Sequence, residues 1–195
     1  MMRVSSELDL IRSPRDAYAA LLREPARGSI VIALRRPLLV ALVLGVSLAI
    51  ASTGRATPAL VVSTTLSWSY IVLLQIAIAL PLIASHARRT VGLSRAIDLF
   101  FAGHAPWSLL ALAAAAWAPS SIGRPLWPLV ALAVVAAILT PRIVLAFFEL
   151  VLGLSGRDAR RMTALHQALT WTVFAAFVWI SSALTPRAFE LLGWT

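Results

Sequence analysis

Five apolar segments, separated by short polar stretches, dominate the pattern of hydrophobic and polar positions along the chain. They are Pro37–Thr53, Ala59–Ala84, Phe100–Trp117, Leu126–Leu150 and Ala164–Leu184. A helix rises about 1.5 Å per residue, so each segment is about long enough to cross a hydrocarbon core of roughly 30 Å. The strands of a membrane barrel would instead be shorter and would alternate in polarity. The pattern therefore predicts five transmembrane helices, of which the third is the shortest and is rich in alanine.

The polar stretch before the first apolar segment carries the signals of a separate helix. In "SPRD", Ser13 stands at the N-cap position, Pro14 at the first helical position and Asp16 three residues after the cap. Apolar side chains then recur along one face, at Ile11, Tyr18, Leu21 and Leu22. We predict an N-terminal amphipathic helix over Ile11–Glu24 that lies on the membrane or on the cytoplasmic ends of the spans.

The composition agrees with a membrane protein. Hydrophobic residues make up 60% of the 195 residues and charged residues 13%, about half the charged share of a typical soluble domain. The fold class is therefore an all-α integral membrane protein. We expect a cytoplasmic N-terminal segment (residues 1–36), a five-span membrane domain (37–184) and a short external tail (185–195). Because the chain has no cysteine, disulfides and thiolate metal sites are excluded.

The arginines set the orientation of these spans. All seventeen basic residues are arginine. With Arg142 set aside, thirteen lie before the first span or in the second and fourth loops, and three lie in the other loops and the tail. Positive loops stay in the cytoplasm, so we predict a cytoplasmic N-terminus and an external C-terminus. The alanine and arginine content is typical of a bacterial protein, which predicts the cytoplasmic (inner) membrane of a bacterium.

Basic residues placed at the rim of the spans meet the headgroups of anionic lipids, so the positive net charge does not indicate nucleic acid. We expect membrane lipids, and other membrane protein subunits, to be the partners. The candidate contacts are Arg12, Arg15, Arg88, Arg89, Arg95, Arg157, Arg160 and Arg161.

Three stretches resemble the Yip (Ypt-interacting protein) family of membrane proteins and its bacterial relatives. They are "RSPRDAYAALLREP", "VGLSRAIDLFFAGHAPWSLL" and "ELVLGLSGRDARRMTALHQAL", and the resemblance extends from Ile11 to Leu184. It implies five spans with a cytoplasmic N-terminus. Eukaryotic members are linked to Rab GTPases and vesicle traffic, but this chain lacks the long polar N-terminal domain of many of them. The resemblance therefore implies a fold more than a function.

Arg142 and Glu149 are two charges inside the apolar run "ILTPRIVLAFFELVLG". They stand seven residues apart, which is two helical turns and predicts a shared face. Four interpretations are open: interfacial charges whose side chains reach the headgroups, a functional ion pair within the membrane, a contact with a partner, or an ion pair that only locks the helix. We favour the first, because a span that begins near Leu126 crosses the core by about Leu145.

Two further features concern the interior of the spans. Gln75 is the most central polar residue of the second span and follows a run of hydroxyl side chains between Ser63 and Tyr70. Such groups usually hydrogen-bond between helices, but they can also line a substrate path. Ala41, Gly45 and Ala49 repeat every four residues in the first span, which allows two helix backbones to approach closely, within the chain or against another protein.

Three histidines raise the question of a cofactor. His86, His104 and His166 all fall near the cytoplasmic side of the predicted spans, and Asp98 lies close to them in the sequence. No two of them have ligand spacing on one helix. We interpret them as interfacial histidines bonded to water or backbone, with a metal or haem site as the alternative, and we expect no cofactor.

The chain shows no catalytic triad order, phosphate loop or pair of central carboxylates. We therefore expect a non-catalytic accessory or scaffold subunit that binds other membrane proteins or lipids. The alternative is a small transporter or permease component with a polar path near Gln75. A redox or cofactor-bearing subunit is the weakest hypothesis.

Overall fold

Helices form the regular structure of this chain in the computed structural model, which describes residues 4–24, 30–117, 125 and 127–191, and no strand occurs in those ranges. The helices are α1 (Val4–Arg12), α2 (Pro14–Arg23), α3 (Ile30–Thr53), α4 (Pro58–Thr90), α5 (Leu93–Ala102), α6 (Ala105–Trp117), α7 (Trp127–Ala146) and α8 (Gly156–Leu191). A single π turn over Phe147–Val151 continues α7.

Three of these helices are long and apolar enough to cross a membrane: Ala33–Thr53 within α3, Pro58–His86 within α4, and Trp127–Val151 over α7 and the π turn. Three of the five predicted spans fall on these helices. α3 begins at Ile30, however, before the predicted start at Pro37, because arginine is a good helix former and the arginines there do not end a helix.

The third predicted span is not one straight helix. α5 and α6 together are long enough to cross a membrane, but they meet at a 43° bend. Pro106, in the first turn of α6, has no N–H to donate and its ring collides with the carbonyl four residues earlier. At the bend, the N–H groups of Gly103 and His104 instead donate hydrogen bonds to the carbonyls three residues earlier, those of Phe100 and Phe101. The predicted boundaries, Phe100–Trp117, therefore cut through α5.

The fifth predicted span, Ala164–Leu184, lies within α8. Among the described residues, α8 is not one of the helices that meet the length and hydropathy test for a span. α8 also continues to Leu191, past the predicted end at Leu184. A count of five spans therefore stays a prediction.

α3 and α4 pack backbone to backbone at the small residues of α3. Ala41 and Ala49 are buried, and a Cβ atom at Gly45 would lie 1.9 Å from Thr65 Oγ1 and 2.8 Å from Thr65 Cα. Next to this contact, the Thr64 hydroxyl donates a 2.8 Å hydrogen bond to the carbonyl of Gly45. The face of small residues thus lies inside the chain, against α4.

α2 is docked on the bundle where α5 and the end of α7 meet. It buries Ala17, Tyr18 and Leu21, and the Tyr18 ring packs edge-on against Phe147, 5.9 Å between centroids. Burial raises the pKa of the Tyr18 phenol, although the nearby Arg36 acts in the opposite direction. The phenol is therefore neutral and serves as a packing group. Its hydroxyl oxygen lies 3.1 Å from the position that a Cβ atom at Gly103 would take.

Candidate functional site

Asp98 is the most deeply buried charge among the described residues, and arginines surround it. Its side chain has no exposed surface, and Arg36 Nη1 donates a 2.5 Å hydrogen bond to Oδ2. Arg35 approaches the same oxygen at 3.2 Å, and Arg95, one helical turn before Asp98, lies at 3.6 Å. One carboxylate is therefore shared by three guanidinium groups, two from the start of α3 and one from α5.

Arg95 also connects this cluster to α2, because its Nη2 donates a 2.6 Å hydrogen bond to the carbonyl of Leu21. Buried charges that are well hydrogen-bonded fix geometry more than they add stability. The cluster of Arg35, Arg36, Arg95 and Asp98 thus joins α2, α3 and α5, and we call the end of the bundle where it lies the arginine end. The carboxylate of Asp98 is thus engaged by these arginines.

Glu149 lies at the arginine end too, and its partner is Arg15 of α2, not Arg142. Glu149 stands in the π turn, where the wider winding changes the direction in which side chains point. Arg142 is exposed on α7 before that turn. The ion pair of Glu149 is therefore made with Arg15, and the prediction that Arg142 and Glu149 share a face stays a prediction. The depth of Arg142 in the membrane stays a prediction.

We expect a double-mutant cycle to show coupling between Arg15 and Glu149 and none between Arg142 and Glu149. The Arg15 side chain is 68% exposed and that of Glu149 14%, so solvent screens the pair and limits its coupling to about 1 kcal/mol or less. The measurement is thermal unfolding in detergent of the single and double variants Arg15→Gln, Arg142→Gln and Glu149→Gln. A larger coupling to Arg142 than to Arg15 would refute the assignment.

The predicted partner contacts divide into two groups. Arg95 is buried and bonded inside the chain, so it is not available for a partner, and Arg15 is engaged with Glu149. Arg15 is nevertheless exposed. Arg12, Arg157, Arg160 and Arg161 are exposed too and form the second group. Arg88 and Arg89 stand in the last turn of α4, and their side chains lie outside the described part of the structure.

The start of α8 is capped and carries three exposed arginines. The Ser155 hydroxyl accepts a 3.3 Å hydrogen bond from the N–H of Asp158 and donates one of 2.7 Å to its carboxylate. This is an N-cap arrangement. Arg157 in this turn, and Arg160 and Arg161 in the next, are consequently presented from a well-defined helix start.

A cavity of about 320 Å³ lies between α4, α6, α7 and α8. Its walls are mostly aliphatic and aromatic, and Gln75, Gln167 and Thr170 contribute polar groups. His104 Nδ1, His166 Nε2 and Thr170 Oγ1 are buried without a hydrogen-bond partner among the described residues. None of the described residues that line the cavity carries a formal charge.

In the described ranges, no group of three His, Asp or Glu side chains is placed to hold a metal ion. The Ser85 hydroxyl lies 2.8 Å from His86 Nδ1. The rings of His104 and His166 flank the Phe100 ring, at centroid distances of 5.4 and 5.3 Å. Both His104 and His166 line the cavity. Their interpretation as interfacial histidines bonded to water or backbone stays a prediction.

Comparisons with protein-family models, with characterised proteins and with solved structures found no match to this chain. The resemblance to the Yip family therefore stays a prediction.

Sequence reasoning missed the arginine cluster and the cavity. Arg35 and Arg36 were counted only as arginines before the first span, whereas Asp98, 62 residues after Arg36, binds both. A signal was present: Asp98 stands in the apolar stretch "AIDLFF" with Arg95 three residues before it. A carboxylate buried in such a stretch needs a cation nearby. The cavity left no comparable signal, because helices distant in sequence form it.

Proposed function

We propose that this chain is a non-catalytic, five-span protein of a bacterial cytoplasmic membrane that acts as an accessory or scaffold subunit for another membrane protein. In this arrangement α5 and α6 form one bent span, α8 forms the fifth, and the arginine end faces the cytoplasm. α2 is then the amphipathic helix that covers the cytoplasmic ends of the spans. The three apolar spanning helices and the one-sided arginines support this topology.

The observation that carries the proposal is the contrast between two sets of arginines at one end of the molecule. Arg36 and Arg95 are buried against Asp98 and bind the chain together. The arginines at the start of α8 are exposed, although they are held on a capped helix. A basic surface in a fixed geometry suits an acidic surface of a partner subunit or a layer of anionic headgroups.

A second candidate function, a small transporter, is favoured by one observation: Gln75 lines the cavity together with two histidines. Transport requires a polar path through the membrane, with the substrate site near its middle. The cavity walls are mostly apolar, which suits the passage of an ion or polar solute poorly. The two functions make opposite predictions for Gln75 and for the arginines of α8.

We expect the triple variant Arg157→Gln, Arg160→Gln and Arg161→Gln to reduce recovery of a partner after extraction in mild detergent, because partner contacts desolvate these charges. The chain should still insert, since the N-terminal arginines remain to orient it. Gln75→Leu should leave recovery unchanged, and Arg55→Gln, in the α3–α4 turn, is the matched arginine control.

The scaffold function is contradicted if Gln75→Leu has the larger effect and the triple arginine variant the smaller one. If Gln75→Leu alone abolishes the cellular phenotype of the chain, while its expression and partner recovery stay normal, the transporter is the better account. The scaffold function is also contradicted if the triple arginine variant behaves like wild type in both partner recovery and the cellular phenotype.

A further inference from the structure

The cavity wall formed by α8 carries two polar groups that nothing in the described structure satisfies. His166 is only 3% exposed, and its Nε2 atom has no partner, although Nδ1 lies 3.5 Å from the side-chain nitrogen of Gln167. Thr170 stands one helical turn later on the same face, and its Oγ1 atom is also buried without a partner. Both residues line the cavity.

Unsatisfied polar groups in an apolar site destabilise a fold, and they are retained most often where a ligand or ordered water completes the hydrogen bonds. The volume, about 320 Å³, lies at the small end of the about 300–1,000 Å³ range of ligand sites. The cavity therefore fits one compact group that can accept and donate hydrogen bonds.

The lining favours a neutral occupant. Among the described lining residues there is no arginine, aspartate or glutamate to compensate a charge, and an unpaired ion in a low-dielectric site is costly. A fatty-acid carboxylate or a phosphate group would incur this cost. A carbonyl or hydroxyl group would not, because a neutral histidine and a threonine hydroxyl can bind either one.

The lining also favours a flat ring. The polar atoms are surrounded by aromatic side chains: Phe100, Trp107, Phe147 and Trp171 all line the cavity. Trp107 and Trp171 pack edge to face, 6.0 Å between centroids. Aromatic walls of this kind favour offset or edge contacts with a planar unsaturated ring over contacts with a flexible saturated chain.

The cavity lies next to the outer surface of the bundle. Trp171, Phe174 and Phe177 line it and are also 43%, 50% and 37% exposed. These side chains of α8 therefore belong both to the cavity wall and to the outer surface of the bundle. In a membrane, an apolar tail attached to the ring can pass between these side chains into the lipid.

We propose that this cavity binds the ring of a membrane quinone, with its isoprenoid tail in the bilayer. A quinone carbonyl accepts hydrogen bonds from His166 Nε2–H and from the Thr170 hydroxyl, and the aromatic walls contact the two faces and the edge of the ring. Only binding is assigned to the site. The inference does not depend on the scaffold function, because the arginines of α8 do not line the cavity.

The test uses decylubiquinone, a quinone with a short tail, added to the purified full-length chain in detergent. Trp107 and Trp171 lie at the site, so binding should quench tryptophan fluorescence with a saturable dependence on concentration. We expect Thr170→Val to bind about three- to tenfold more weakly, as the loss of one hydrogen bond requires. His166→Leu should bind at least as weakly, and His166→Gln, which keeps a polar group in reach, should bind better than His166→Leu.

Thr170→Val also separates binding from folding. Without ligand, this variant removes an unsatisfied buried hydroxyl at nearly constant shape, so its unfolding midpoint should be equal to or above that of wild type. With decylubiquinone, the gain in midpoint should be smaller than for wild type. His86→Leu, outside the cavity, is the control and should bind like wild type.

Three results overturn the proposal. The first is the absence of saturable quenching in the wild-type chain. The second is equal affinity in wild type, Thr170→Val and His166→Leu. The third is equally tight binding of decylbenzene, which has a ring and a tail but no carbonyl, since that would make the cavity a site for hydrocarbon alone.

Discussion

Replacing Asp98 with asparagine should sharply reduce the amount of folded protein that can be extracted from the membrane. Asp98 is fully buried, and its carboxylate accepts hydrogen bonds from Arg35 and Arg36. Removing one partner from a buried ion pair costs about 3–5 kcal/mol, because the remaining charge loses its compensation. Folded domains are stable by only about 5–15 kcal/mol. The measurement is recovery of monodisperse protein in mild detergent, followed by its thermal unfolding.

Asp158→Asn is the matched control, because Asp158 is an exposed aspartate on a helix start and should change stability by much less. The double variant Asp98→Asn with Arg36→Gln should recover part of the lost protein, since it removes a buried charge together with its partner. If Asp98→Asn and Asp158→Asn behave alike, the arginine cluster does not hold α2, α3 and α5 together.

Replacing Gly45 with alanine should lower the stability of the bundle by about 1–3 kcal/mol, the usual cost of adding a carbon to a full interior. The new Cβ would stand 1.9 Å from Thr65 Oγ1 and 2.8 Å from Thr65 Cα. The hydroxyl can rotate away, but the backbone of α4 cannot, so the two helices must separate. The measurement is the thermal unfolding midpoint of the purified chain in detergent.

Gly156→Ala is the control for this substitution. The nearest side-chain atom to a Cβ at Gly156 is Glu149 Oε1 at 3.7 Å, which is an ordinary contact distance. The same chemical change should therefore be neutral or slightly stabilising there, because alanine is a better helix former than glycine. Equal effects at Gly45 and Gly156 would show that α3 and α4 do not approach each other as closely as described.

The helices that the sequence predicts best are those whose apolar runs end at clear breaks. α4 (Pro58–Thr90) contains the predicted segment Ala59–Ala84, and α7 with its π turn matches Leu126–Leu150 closely. The hydrophobic pattern is decisive there because a membrane helix must be apolar along its length. It is not decisive at Gly103, where the sequence is apolar on both sides of the bend.

The features that carry the proposals depend on contacts between distant residues. The pairing of Arg36 with Asp98 and that of Arg15 with Glu149 join segments separated by 62 and 134 residues. A charge count assigns such arginines to one side of the membrane, but it cannot distinguish a buried ion pair from an exposed contact. The same limit applies to His166, whose place on a cavity depends on how α8 packs against α4 and α6.

The central claim is that the arginine end lies in the cytoplasm and that five spans place the C-terminus outside. Because the chain has no native cysteine, single cysteines can be labelled with a membrane-impermeant maleimide in spheroplasts without background. Arg55→Cys and Thr195→Cys should be labelled directly, and Arg157→Cys only after the membrane is broken. Labelling of Arg157→Cys in unbroken spheroplasts, or protection of Thr195→Cys, would contradict this topology and with it the proposed scaffold surface.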